Sequence, residues 1–159
     1  MGERRRLLFT FDARDFACAR ALAEQFRLEG GRLSVDLGIT SEPFATQRAD
    51  YIRASFAARI RRSLAVVCLF GSDTFADDWV LWTLETAHRL GRPIVGSPLV
   101  HAPAPAAVDL FDSLGAAIVA PQAETLARHV SRIDRRREGS RPVAEEALLV
   151  LRAMRHDTR

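Results

Sequence analysis

Leu64-Ala65-Val66-Val67-Cys68-Leu69-Phe70-Gly71-Ser72-Asp73-Thr74 is the stretch that sets the fold. The run from Leu64 to Phe70 is apolar at every position and has no solvent face. It predicts a central parallel strand covered on both sides. Gly71 to Thr74 ends it. Asp73 or Thr74 is placed to cap a helix, and Asp77 and Asp78 favour that helix's positively polarised first turn. The helix runs to about Leu90 and stops at Gly91.

Working toward the N-terminus, Ile52, Phe56 and Ile60 line one side of a helix from Gln47 to Arg62. Gly38 to Thr46, with Pro43, reads as a loop. Leu33-Ser34-Val35-Asp36-Leu37 is a weaker strand. Phe16, Ala19, Leu22, Ala23 and Phe26 share a helical face, and Gly30-Gly31 stops that helix. Leu7-Leu8-Phe9-Thr10-Phe11 is the opening strand, ended by Asp12.

Toward the C-terminus, Pro93-Ile94-Val95-Gly96 is a fourth strand, with proline at the tolerated first position. A Pro/Ala loop and a short helix, Val108 to Ser113, lead to a fifth strand, Ala116 to Val119. Leu126, Val130 and Ile133 mark a helix to about Arg137. Glu138 to Pro142 reads as a linker, and Val143, Ala147 and Met154 mark a last helix. The expected organisation is an α/β domain at 1–137, a linker at 138–142 and a C-terminal helix at 143–159. Strand–helix alternation with right-handed crossovers predicts a flavodoxin-like three-layer sandwich. Its five-stranded parallel sheet is expected in the order 2-1-3-4-5.

Composition excludes several classes. The 159 residues suit one domain, and the net charge is only +3. All 23 basic residues are arginine. Without lysine there is no Walker A phosphate loop and no Schiff-base chemistry. Arg4-Arg5-Arg6 and Arg135-Arg136-Arg137 read as solvated element ends, because a nucleic-acid face needs a longer stripe with interleaved aromatics. The four histidines lack metal-ligand spacing. Cys18 and Cys68 sit among apolar residues and read as buried free thiols in a reducing cytosol. Leu7-Leu8-Phe9 is too short for a secretory leader, and no run approaches the ~20 apolar residues of a membrane span. A cytoplasmic location is expected.

In an open parallel sheet, ligands bind beyond the carboxyl ends of the strands where strand order reverses. For the order 2-1-3-4-5 that place lies between strands one and three. Thr10, Phe11, Asp12 and Arg14 reach it from strand one, and Gly71, Ser72, Asp73 and Thr74 from strand three. Asp36 ends strand two. The glycine-led turn offers N–H groups to an anion, or is simply a turn with a cap; Asp73, Asp77 and Asp78 oppose an anion there. Trp79 is expected to pack toward the crevice or to fix the helix start. Asp12 and Glu85 are the only carboxylates considered for acid–base work, with Glu85 expected at the surface. A response-regulator receiver is excluded, since strand three does not end in a phosphoacceptor aspartate and no lysine exists. A flavodoxin is excluded because Asp12-Ala13-Arg14-Asp15 replaces the hydroxyl-rich phosphate loop.

These residues resemble the TIR-like (Toll/interleukin-1 receptor-like) proteins over roughly residues 4–119. The similarity is closest to the subfamily holding the TIR component of Thoeris, a bacterial antiphage system. Its most specific part is the apolar strand, then Gly71-Ser72-Asp73-Thr74-Phe75, then Trp79-Val80. Arg6 to Phe11 with Arg14-Asp15, Leu90 to Gly96, and Leu110 to Gly115 support it. The resemblance implies immune signalling, and active relatives cleave the nicotinamide–ribose bond of NAD or cyclise the product. Their essential glutamate falls on Thr83 here, while the serine of strand one becomes Thr10. Thr83 has no charge to stabilise an oxocarbenium-like transition state. Glu85 lies about 200° further round the helix. Two classes follow. One is a degenerate sensor, assembly or nucleotide-binding module. The other is an active NAD-cleaving enzyme that recruits Glu85, Asp12 or a neighbouring subunit. The resemblance implies no resident cofactor beyond NAD as substrate or ligand. Its implied partners are an NAD or ADP-ribose-type ligand, further copies of the chain, or a defence protein.

Overall fold

The computed structural model describes residues 5–29, 32–40, 42–136 and Ala153. The linker expected at 138–142 and, Ala153 aside, the helix expected at 143–159 lie outside the described residues, as do Gly30 and Gly31. Ten elements alternate along the chain: β1 (Arg5–Thr10), α1 (Phe16–Leu28), β2 (Leu33–Leu37), α2 (Arg48–Arg62), β3 (Ser63–Phe70), α3 (Asp78–Arg89), β4 (Ile94–Pro98), α4 (Pro105–Ser113), β5 (Ala117–Ile118) and α5 (Ala123–Arg136).

The sheet is parallel throughout and ordered β2-β1-β3-β4-β5, as the alternation predicts. β3 is central and deeply buried, so its uninterrupted apolar run has a helix layer on each side. Successive side chains of β3 alternate between two cores. Val66, Cys68 and Phe70 meet Ile60 of α2, Val80, Leu84 and Ala87 of α3, and Leu110 and Phe111 of α4. Ala65, Val67 and Leu69 meet Ala19, Leu22 and Phe26 of α1 and Leu126 and Val130 of α5. Helices α2, α3 and α4 therefore cover one face, and α1 and α5 the other. Each fully buried Leu or Phe adds roughly 1.5–3 kcal/mol of apolar transfer energy.

Two glycines permit close approaches. A Cβ on Gly38 would lie 2.9 Å from the Phe9 carbonyl oxygen, which accepts the Gly38 N–H at 2.8 Å. That contact folds the β2–α2 loop over the end of β1. A Cβ on Gly96 of β4 would lie 2.9 Å from the Phe111 ring, so the bare backbone lets α4 settle on the sheet.

Three local expectations are corrected. Asp77, rather than Asp73 or Thr74, caps α3, accepting the Trp79 N–H at 2.9 Å; a 3-10 turn at Thr74–Ala76 intervenes. Cys18 is exposed, because Ala19, Leu22 and Phe26 set the inward phase of α1 and Cys18 falls off it; Cys68 is buried. Glu85 is only 8% exposed instead of lying at the surface. Helix α3 is the middle helix of its layer, between α2 and α4, and buries eight of its residues. Among the described residues no helix is long and apolar enough to cross a membrane.

Candidate functional site

The carboxyl ends of β1 and β3 meet where the strand order reverses. Thr10 pairs with Cys68 there, and Thr10 and Phe11 are both buried. Asp12 follows and accepts the Arg14 backbone N–H at 2.9 Å, starting a short 3-10 turn. The Arg14 guanidinium grips the same carboxylate at 2.9 and 3.3 Å. It also lies 3.5 Å from Asp73 in the loop after β3. One arginine thus bridges both strand ends. Its hydrogen bonds to Asp12 hold that carboxyl below its ordinary pKa. Asp77 moves the opposite way, raised first by burial and further by the nearby charge of Asp12.

The turn after β3 satisfies part of itself. Thr74 Oγ1 accepts the Gly71 N–H at 2.8 Å, so that donor is already taken. Ala76 and Asp77 donate to the Asp73 and Thr74 carbonyls. Ser72 is exposed beside this turn. Asp36 points into the face beneath α2, where Arg59 binds it at 2.8 and 2.5 Å and also donates to the Leu37 carbonyl. Asp36 is therefore a structural anchor between β2 and α2, and is not gathered with Asp12 and Arg14.

Trp79 packs against α2 and the β2–α2 loop. Its indole N–H donates to the Glu42 carbonyl at 2.8 Å. Its ring meets Phe44, Phe56 and Trp82 edge-on, with centroids 5.0, 5.7 and 6.0 Å away. Arg53 lies 4.3 Å over Phe44 and donates to the Phe44 carbonyl at 2.7 Å. The sequence reading missed this group. Its one local signal was the i, i+3 spacing of Phe56 and Arg59, which sets that guanidinium 4.8 Å over the Phe56 ring; the contacts of Arg53 with Phe44 and Trp79 join distant parts of the chain.

Thr83 lies one turn after Trp79, is 4% exposed, and donates its hydroxyl to the Trp79 carbonyl at 2.7 Å. Glu85 lies on the same helix but well away from Thr83 in angle. The arrangement offers recognition surfaces of aromatic rings and guanidinium groups. Its strand-end carboxylate, Asp12, is held by Arg14.

A doubly wound parallel sheet in this order, with its strand ends meeting at the reversal point, defines a flavodoxin-like α/β domain. The family model described as Thoeris protein ThsB, TIR-like domain, matches residues 9–102, and the chain belongs to that family. The match runs from the last two residues of β1 through β4 and stops before the Leu110–Gly115 element. A comparison with curated proteins gave no match.

Proposed function

We propose that this chain is a signalling domain of prokaryotic antiphage defence that no longer cleaves NAD. It acts in the cytoplasm as a sensor, assembly or nucleotide-binding module, with an NAD or ADP-ribose-type ligand, further copies of itself or a defence protein as partner. Family membership supports the defence role. The observation that carries the loss of catalysis is Thr83. The position where the resemblance puts the essential acid holds a buried hydroxyl already donated to the Trp79 carbonyl. No negative charge is available there for a developing oxocarbenium ion, a loss of several kcal/mol of transition-state stabilisation.

The test is nicotinamide release from NAD by purified, folded protein at concentrations high enough to allow self-association. The wild-type chain is expected to release none, and Thr83→Glu to gain measurable turnover. Wild-type turnover would overturn the proposal. Should that turnover vanish in Glu85→Gln yet survive in Asp12→Asn, the buried Glu85 would be the acid.

A further inference from the structure

A cavity lies at the β5 edge of the sheet, outside the region matched by the family. β5 is the edge strand, and its inner side is fully used. The Val119 N–H donates to the Gly96 carbonyl at 2.8 Å, and the Ser97 hydroxyl donates to the Val119 carbonyl at 2.8 Å. Because parallel strands alternate their peptide directions, the Ile118 peptide faces outward. Helix α5 starts four residues after Val119 and turns back over the end of this strand. Ala123, Leu126 and Val130 face the core. Thr125, Arg128, His129 and Arg132 form the neighbouring stripe at i, i+3, i+4 and i+7.

Between the strand end and this stripe is a cavity of about 290 Å³, lined by Ile118, Val119, Ala120, Thr125, Arg128, His129 and Arg132. It combines an apolar floor with a hydroxyl, an imidazole and two guanidinium groups. Arg132 makes no ion pair among the described residues. Among the described residues Arg128 has only Glu124, at 3.1 Å, in an exposed and therefore weak i,i+4 pair. That partner is easily exchanged for a better anion. Burial, then Arg132 and Arg136, push His129 below its ordinary pKa, so positive potential is concentrated on this side of the helix.

We propose that this β5–α5 cavity binds a small molecule carrying a phosphate-class oxyanion. Arg128 and Arg132 hold the anion, Thr125 and His129 donate to it, and Ile118 to Ala120 form the seat for the attached organic group. Guanidinium groups match phosphate oxygens in pairs, and the volume suits a phosphate with about one sugar-sized substituent.

The test is an NMR titration of the full chain with inorganic phosphate and, separately, with ribose 5-phosphate, at constant ionic strength set by chloride. Both should shift the His129 ring and the amides of residues 118–132 saturably. Tighter binding of the sugar phosphate would identify an organic phosphate as the occupant; equal binding would identify free phosphate. Arg128→Gln with Arg132→Gln should weaken binding about tenfold or more, as loss of charge-assisted bonds implies. Arg61→Gln with Arg62→Gln, two exposed charges on α2, should leave it unchanged. Absence of saturable shifts at several millimolar, or equal weakening by the α2 pair, would overturn the proposal. An acidic peptide that shifts these signals when neither phosphate does would overturn it too.

Discussion

Replacing Trp79 with phenylalanine isolates what holds the β2–α2 loop on α3. The substitution removes the indole N–H bonded to the Glu42 carbonyl at 2.8 Å, a loss of about 1 kcal/mol. The freed carbonyl sits on a loop and can be hydrated, so no full desolvation penalty is added. The smaller ring keeps part of its edge-on contact with Phe44, Phe56 and Trp82. Such contacts are each worth about 0.5–1.5 kcal/mol, and losing a fraction of three costs roughly 1 kcal/mol more. The sum is about 2 kcal/mol. With a urea slope of about 2 kcal/mol per molar, the unfolding midpoint should fall by about 1 M. Hydrogen exchange should quicken at Thr46 and its neighbours, whereas the Gly38 amide, bonded to Phe9, keeps its protection. A cycle with Phe44→Leu should return a coupling of about 0.5–1.5 kcal/mol. A Trp79→Phe protein within about 0.5 kcal/mol of wild type, with unchanged loop exchange, would refute this account of the loop.

Gly96→Ala should destabilise by about 1–3 kcal/mol in urea unfolding, because the new Cβ meets a fully buried Phe111 ring packed 4.9 Å from Phe70. Adding Phe111→Leu should recover part of that loss; a neutral Gly96→Ala would show that the ring can yield. His129 titrates below its ordinary value of 6.5 in the fold, so on acidification the unfolded chain takes up the proton first. Stability should therefore fall as pH drops through that value toward the lowered folded one. His129→Gln should flatten that part of the pH profile of the urea midpoint, and an unchanged profile would count against the burial of the imidazole.

Part of the candidate site is legible in the sequence. Thr10, Asp12 and Arg14 were located by topology alone, since a parallel sheet in this order has one reversal point. The bridge from Arg14 to Asp73 was not visible, because it joins loops that come together only when β1 pairs with β3. The hold of Arg59 on Asp36 was not visible either, because Arg59 is distant in sequence and adjacent only across the β2–α2 contact.

Local period fixes which residues of an element can share a face, and that alone determined the strands, the helices and their order. Side-chain identity also put a neutral Thr83 where the resemblance implies a glutamate. Period does not state how many faces of a helix will be covered. Only packing put Glu85 out of solvent in the middle helix and left Cys18 in it. Only packing, too, brought the α5 stripe beside the end of β5. Burial depends on neighbours from distant parts of the chain, and those neighbours exist only once the layers have assembled.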